Sequence, residues 1–84
     1  MIELFQYETC PSCRRVREKL SELMLDYVAR QVPQDASQRT RLELATGQRE
    51  IPALIDPEQS MVVTEAEDIV AYLQETYGQR LAAR

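Results

Sequence analysis

Cys10-Pro11-Ser12-Cys13 holds both cysteines of the chain and sits where a strand pattern gives way to a helix pattern. Upstream, Ile2-Glu3-Leu4-Phe5-Gln6-Tyr7 alternates apolar and polar residues, as a half-buried strand does. Downstream, Cys13, Val16, Leu20, Leu23 and Met24 recur at helical spacing along one face. Pro11 suits the first helical position, where its fixed φ helps and its missing N–H costs nothing. Cys10 is then the N-cap and Cys13 the third helical residue. Free backbone N–H groups and the positive end of the helix dipole point at the Cys10 sulfur. A thiol held there ionises more easily, and the thiolate is the reactive form. The spacing also lets the two sulfurs close a small disulfide ring, so the stretch reads as a redox site. Two other readings stay open at this point. The cysteines could be small buried hydrophobes, which suits Cys13 better than Cys10. They could also be half of a zinc site, although the chain has no His and no further Cys to complete one.

Working outward, Asp26 to Val32 reads as a second strand, ended by Pro33. Asp35 has the form of a helix N-cap answered by Gln38, and that helix runs to about Thr46, stopping at Gly47. Its apolar face is thin: Ala36, Leu42, Leu44 and Ala45. Ile51 to Asp56 suits a buried strand with Pro52 at its start. A turn over residues 56–60 leads to a fourth strand at Met61-Val62-Val63. Thr64-Glu65-Ala66-Glu67 reads as a capping box for a last helix, with Ala66, Ile69, Val70, Leu73 and Tyr77 on one face and Gly78 closing it. Residues 79–84 are expected to fray. The order is βαβαββα: an α/β fold with a four-stranded mixed sheet and helices on both faces, in one domain over residues 1–78. Strands one and two are parallel, because a helix crosses between them, and strands three and four form an antiparallel hairpin.

Eighty-four residues suffice for one modest core. No apolar run approaches a membrane span, and the first residues read as a strand rather than a targeting segment. The expectation is a cytoplasmic monomer. A net charge of −4, with the charges interspersed, argues against nucleic acid or an anionic membrane as partner.

These residues resemble the glutaredoxin family of the thioredoxin-like fold. Cys10-Pro11-Ser12-Cys13 is similar to that family's Cys-Pro-Tyr-Cys site, and Ile51-Pro52 to its Val-Pro, whose proline is cis and faces the disulfide. Thr64-Glu65-Ala66-Glu67-Asp68-Ile69 stands in place of its Gly-Gly-x-Asp-Asp-Leu turn. The last helix, Glu65-Ala66-Glu67-Asp68-Ile69-Val70-Ala71-Tyr72-Leu73, also resembles the Glu-Ser-x-x-Ile-x-x-Tyr-Leu pattern of glutathione transferase N-terminal domains. A transferase needs a second, helical domain for its electrophile. That likeness therefore implies shared glutathione-binding ancestry rather than transferase activity.

The resemblance implies a thiol–disulfide oxidoreductase acting on protein disulfides or glutathione mixed disulfides. Cys10 is its nucleophile and Cys13 its resolving thiol. Glutathione is the implied co-substrate, with no tightly bound cofactor or metal. The implied binding residues are Ser12, Arg39, Ile51, Pro52, Glu65, Ala66 and Glu67. Arg39, with Arg49 as a second candidate, would meet the glycine carboxylate of glutathione. Ile51 would offer its backbone to an extended substrate, and residues 65–67 would hold the γ-glutamyl end. Arg14 and Arg15 could hold a thiolate or attract the tripeptide. Two departures bear on this: Glu8 stands where the family carries Lys, and is expected to raise the Cys10 pKa. Ser12 replaces the aromatic residue that covers bound substrate. Three alternatives are a redoxin served by a thioredoxin reductase, a metal or iron–sulfur module shared by two chains, and a non-catalytic adaptor. Tyr7 and Tyr72 are assigned to packing.

Overall fold

The first strand, β1 (Ile2–Gln6), is buried nearly throughout, more deeply than its alternation suggests, because it lies inside the sheet with helices on both sides. The structure, a computed structural model, describes the backbone of residues 1–82 and the side chains of residues 1–79. After β1 come α1 (Pro11–Glu22), β2 (Tyr27–Gln31), a 3₁₀ turn at Ala36–Gln38, α2 (Thr40–Thr46), β3 (Ala53–Asp56), a 3₁₀ turn at Pro57–Gln59, β4 (Met61–Thr64) and α3 (Ala66–Ala82). The sheet order is β2-β1-β3-β4. β1 runs parallel to β2, with Ile2 opposite Tyr27, and antiparallel to β3, with Leu4 opposite Leu54. β3 and β4 form the expected hairpin. Among the described residues, no helix is long and apolar enough to cross a membrane.

Two apolar layers sandwich the sheet. On one face Ile2, Leu4 and Leu54 meet Val16, Leu20 and Leu23 around α1 and Ile69, Leu73 and Tyr77 of α3. On the other, Phe5 and Ala53 pack with Val32 and Leu42. Truncating a fully buried leucine such as Leu20 to alanine would cost about 2–5 kcal/mol, from lost transfer energy plus the cavity left behind.

Four local expectations are corrected. Asp35 caps only the 3₁₀ turn, accepting from the Ser37 N–H; Arg39 separates that turn from α2, which has one buried residue, Leu42. Gly47 does end α2, at φ 80°, as a left-handed C-cap should. Met24 is not on the α1 stripe: it is 70% exposed at φ 54°, where the Met24 N–H reaches Ser21 O and the Leu25 N–H reaches Leu20 O. That pair of bonds is a Schellman ending, in which residue 24 takes the place usually given to glycine. Thr64 belongs to β4 and the chain enters α3 through Glu65 at φ 71°, so the capping box does not start where its pattern suggests. Finally, Gly78 does not close α3, which continues to Ala82; residues 79–82 are helical, and the rest of the expected frayed tail lies outside the described residues.

Candidate functional site

Cys10 is the N-cap of α1, in extended backbone geometry, with Pro11 at the first helical position. Its N–H donates to Tyr7 O, and its carbonyl accepts the Arg14 N–H, the first bond of the helix. The loop between β1 and α1 is held from below by Arg17, which donates to the side chain of Gln6 and, at 3.0 Å, to Glu8 O. Strand, loop and helix start are thus locked together, and the sulfur has a fixed place.

That sulfur accepts the Cys13 backbone N–H at 3.3 Å and lies 3.3 Å from the Ser12 hydroxyl. Cys10 is 6% exposed and Cys13 fully buried, and neither is disulfide-bonded. The two thiols differ in acidity. For Cys10, burial opposes ionisation, but hydrogen bonds from Cys13 and Ser12 outweigh it and bring the pKa below the usual thiol value. For Cys13, burial, the hydrogen bond with Cys10 and the charge on Cys10 together push the pKa up to about 12. The N-cap thiol is therefore the more readily ionised of the two, and the buried one keeps its proton.

Beside the thiol lies a cleft of about 350 Å³, lined by Ser12, Ile51, Pro52, Glu65, Ala66 and Glu67, together with Glu50 and Asp68. Six residues singled out from the sequence converge here from three separate segments. The Ile51–Pro52 peptide bond is cis. Ala66, Glu67 and Asp68 bring the first turn of α3 to the same space. Glu50 and Asp68 escaped the sequence reading. Their signal was adjacency, since each sits next to a residue already chosen.

Arg39 is not in this cleft. It is 8% exposed and its guanidinium donates to Pro33 O at 2.8 Å, Gln34 O at 2.9 Å and Arg49 O at 3.0 Å, packed over the Tyr7 ring. It joins the backbone of the connections flanking α2. Arg49 pairs with Glu43 and donates to Ser37 O, and Arg14 pairs with Glu18. Arg15 alone of these cations touches the cleft wall, through a two-pronged pair with Glu67. Glu8 lies 3.8 Å from Arg17, and the Cys10 pKa is lowered, against the rise expected from a carboxylate at that position. Tyr72 is more than packing: its hydroxyl and that of Tyr77 both donate to Asp56 Oδ2, fastening α3 to the end of β3.

Residues 4–81 match the family model of the glutathione S-transferase N-terminal domain. The chain belongs to that family. The likeness noted for the last helix thus extends over nearly the whole domain, and the glutathione transferase N-terminal fold is the thioredoxin-like fold expected from the sequence. A glutathione S-transferase from Rhodospirillum rubrum F11 is 30% identical, with a TM-score of 0.77 over 94% of this chain and 35% of its own. Isozyme E7 from Drosophila melanogaster is 25% identical, with a TM-score of 0.81 over 94% of this chain and 36% of its own. A rice glutathione transferase solved in complex with glutathione is 24% identical, with a TM-score of 0.77 over 93% of this chain and 34% of its own, a likeness of fold alone. No individually curated protein matches this sequence. The transferase N-terminal domain described here spans about a third of the length of these solved relatives.

Proposed function

We propose that this domain is a glutathione-linked thiol–disulfide oxidoreductase working through Cys10 and Cys13. One observation carries the reading: the Cys10 sulfur sits at a helix N-terminus, hydrogen-bonded by Cys13 N–H and Ser12, with a second thiol buried directly under it. A domain that only bound glutathione would have no use for that second thiol.

In the first step the Cys10 thiolate attacks one sulfur of a disulfide R–S–S–R′. A Cys10–S–S–R bond forms, and R′S⁻ departs with the electron pair of the broken bond and takes up a proton. Cys13 then gives up its proton and attacks the Cys10 sulfur, closing the intramolecular disulfide and releasing R–SH. Two glutathione thiols regenerate the dithiol and leave as glutathione disulfide. The high pKa of Cys13 keeps it from competing in the first step. Burial holds the Cys13 proton first, with the hydrogen bond and charge of Cys10 adding to it; once Cys10 is bound in a mixed disulfide, that charge no longer opposes ionisation of Cys13. The cis Pro52 segment and the first turn of α3 form the walls against which the substrate would lie.

A second reading, reduction by a thioredoxin reductase in place of glutathione, is favoured by the charge of the cleft. Four carboxylates line it, Glu50, Glu65, Glu67 and Asp68, and only Glu67 is paired with a cation, Arg15, among the described residues. Glutathione carries two carboxylates of its own. The deciding experiment is reduction of a small glutathione mixed disulfide, coupled to glutathione reductase or to thioredoxin reductase, with the parent, Cys10→Ser and Cys13→Ser. Turnover with glutathione that is abolished in Cys10→Ser supports the proposal. Turnover remaining in Cys13→Ser reports the route in which a second glutathione thiol, in place of Cys13, attacks the Cys10–glutathione mixed disulfide and releases the Cys10 thiolate with glutathione disulfide. Turnover only with thioredoxin reductase selects the second reading, and none with either system overturns both.

A further inference from the structure

Ser12 occupies the second position of α1, exposed, with its hydroxyl both lining the cleft and lying 3.3 Å from the Cys10 sulfur. In the thiol form either atom could donate across that contact. In the thiolate form only the hydroxyl has a proton, so ionisation of Cys10 fixes the direction of the bond. A hydrogen bond to an ionised acceptor is stronger than one between neutral groups, so the contact favours the charged sulfur over the neutral one.

We propose that Ser12 is a catalytic residue, donating its hydroxyl proton in a hydrogen bond to the Cys10 sulfur whenever that sulfur carries negative charge. The role rests on the reading of Cys10 as nucleophile. It operates twice in a turnover. Before attack, Ser12 and the Cys13 N–H together hold the thiolate. When an incoming thiolate breaks the Cys10–S–S–R bond, Cys10 leaves with the bonding electron pair, and the same two donors receive it. Between these events the sulfur is neutral and the hydroxyl is free to turn towards the bound group in the cleft.

The signature of such a donor is a trade. It raises the thiolate fraction at neutral pH and lowers the intrinsic reactivity of each thiolate, because nucleophilicity falls with basicity at a Brønsted coefficient of about 0.4–0.5. With a coefficient near one half, removing the donor slows the reaction where the thiol is mostly protonated and speeds it where ionisation is complete, by similar factors. A purely structural role would slow both. The lowered pKa of Cys10, to which Ser12 contributes against the effect of burial, has the sign this requires. The other titratable or charged groups on the surrounding elements are Cys13, Arg14, Arg15 and Arg17 on α1, Tyr7 and Glu8 before it, Glu50, and Glu65, Glu67 and Asp68 at the start of α3. A change at Ser12 removes none of these groups, and Cys13 follows Cys10 through the contact between them.

The experiment is the pH dependence of alkylation by a neutral haloacetamide, followed by mass on the Cys10 peptide, for the parent, Ser12→Ala and Ser12→Thr. Ser12 is exposed and alanine favours helix, so both variants should fold. The expected result is a pair of crossing curves. Ser12→Ala is about threefold slower than the parent on the acid limb and about threefold faster on the alkaline plateau, and Ser12→Thr follows the parent. Superimposed curves for Ser12→Ala and the parent, or a parallel loss at every pH, would overturn the proposal. Alkylation needs no disulfide substrate, so the outcome is separate from the fate of the oxidoreductase reading. Crossing curves with no disulfide turnover in any protein would strike out that reading and keep the Ser12–Cys10 donation.

Discussion

The guanidinium of Arg15, in the first turns of α1, grips the carboxylate of Glu67, in the first turn of α3, by two parallel hydrogen bonds. The pair joins the two helix starts that frame the cleft. It holds the Arg15 pKa up and the Glu67 pKa down, in each case chiefly through the hydrogen bond between them. Both groups are exposed, so the pair adds little to stability. Its consequence is local charge. Arg15→Gln leaves four carboxylates around the cleft without a partner cation. The expected outcome is an unchanged urea midpoint with a several-fold rise in KM for the anionic glutathione disulfide, and a fall in KM for a cationic one such as cystamine. The contrast should shrink as salt is raised from about 0.05 to 0.5 M, since screening acts on exposed charges. Equal changes for both disulfides would show that Arg15 acts by some means other than charge.

The acidities of Cys13 and Tyr72 give the reduced domain a definite alkaline weakness. Burial, the hydrogen bond with Cys10 and its charge raise the folded pKa of Cys13 to about 12, from an ordinary value of 9.0. Burial and the bond to Asp56 raise that of Tyr72 to about 12, from 10.0. Each group is an acid held protonated by the fold. Each therefore contributes stability that is complete below its unfolded pKa and is lost as pH rises towards about 12. Cys10, with a lowered pKa, contributes in the opposite sense, and its share is lost as pH falls through its folded value. Urea unfolding under reductant should show a lower midpoint at pH 11 than at pH 8. Tyr72→Phe should reduce the part of that fall lying above pH 10, leaving the shares of Cys13 and of Tyr77, whose pKa burial and the bond to Asp56 also raise.

Asp56 is the least expected polar residue in the interior. It is 1% exposed, its Oδ2 accepts from Tyr72 at 2.7 Å and from Tyr77 at 2.5 Å, and its Oδ1 has no hydrogen-bond partner among the described residues. Asp56→Ala removes the acceptor for two phenols and leaves their hydroxyls to find new partners. The expected loss is about 2–3 kcal/mol in denaturant unfolding, with the proposed disulfide reduction per folded molecule unchanged because Asp56 does not line the cleft beside Cys10. A loss under about 1 kcal/mol would mean that the phenols are readily re-solvated.

At the end of α1, Met24 takes a left-handed conformation that a side chain resists, and its side chain is exposed, with little packing to lose. Met24→Gly is expected to raise stability by about 0.5–1 kcal/mol in urea unfolding, the gain in the folded backbone exceeding the added freedom of the unfolded chain. A fall in stability would show that the exposed thioether packs better than its exposure implies.

What could be read from the sequence follows the range of each interaction. The α1 start was legible because Cys10, Pro11 and Cys13 determine a cap by local rules. The cleft was legible because Ile51-Pro52 and Glu65-Ala66-Glu67 carry a recognisable pattern at recognisable distances. Met24 was misplaced because helical periodicity runs on past a helix that stops by backbone geometry, without a glycine to mark the end. Asp56 was read only as a turn residue, since its partners lie 16 and 21 positions away on α3 and leave no trace in local composition. The same limit applies to Arg39: a guanidinium that binds a ligand and one that binds three carbonyls look identical in a sequence.

Arg39 separates those two roles experimentally. Its three donations to the carbonyls of residues 33, 34 and 49 depend on the planar fork of the guanidinium, and lysine, with one compact ammonium, cannot reproduce them together. Arg39→Lys keeps the charge and should still cost about 1–3 kcal/mol of stability, because three backbone carbonyls lose the charged donors that a buried guanidinium supplies. A residue that met the glycine carboxylate of glutathione would behave in the reverse way. Lysine would substitute well, stability would hold, and replacement by Gln would raise KM for glutathione in a salt-dependent manner. Arg39→Lys and Arg39→Gln, compared by urea unfolding and by KM at two ionic strengths, should therefore both lower stability and leave the salt dependence of KM at its parental slope. A changed slope in Arg39→Gln alone would return Arg39 to the binding site.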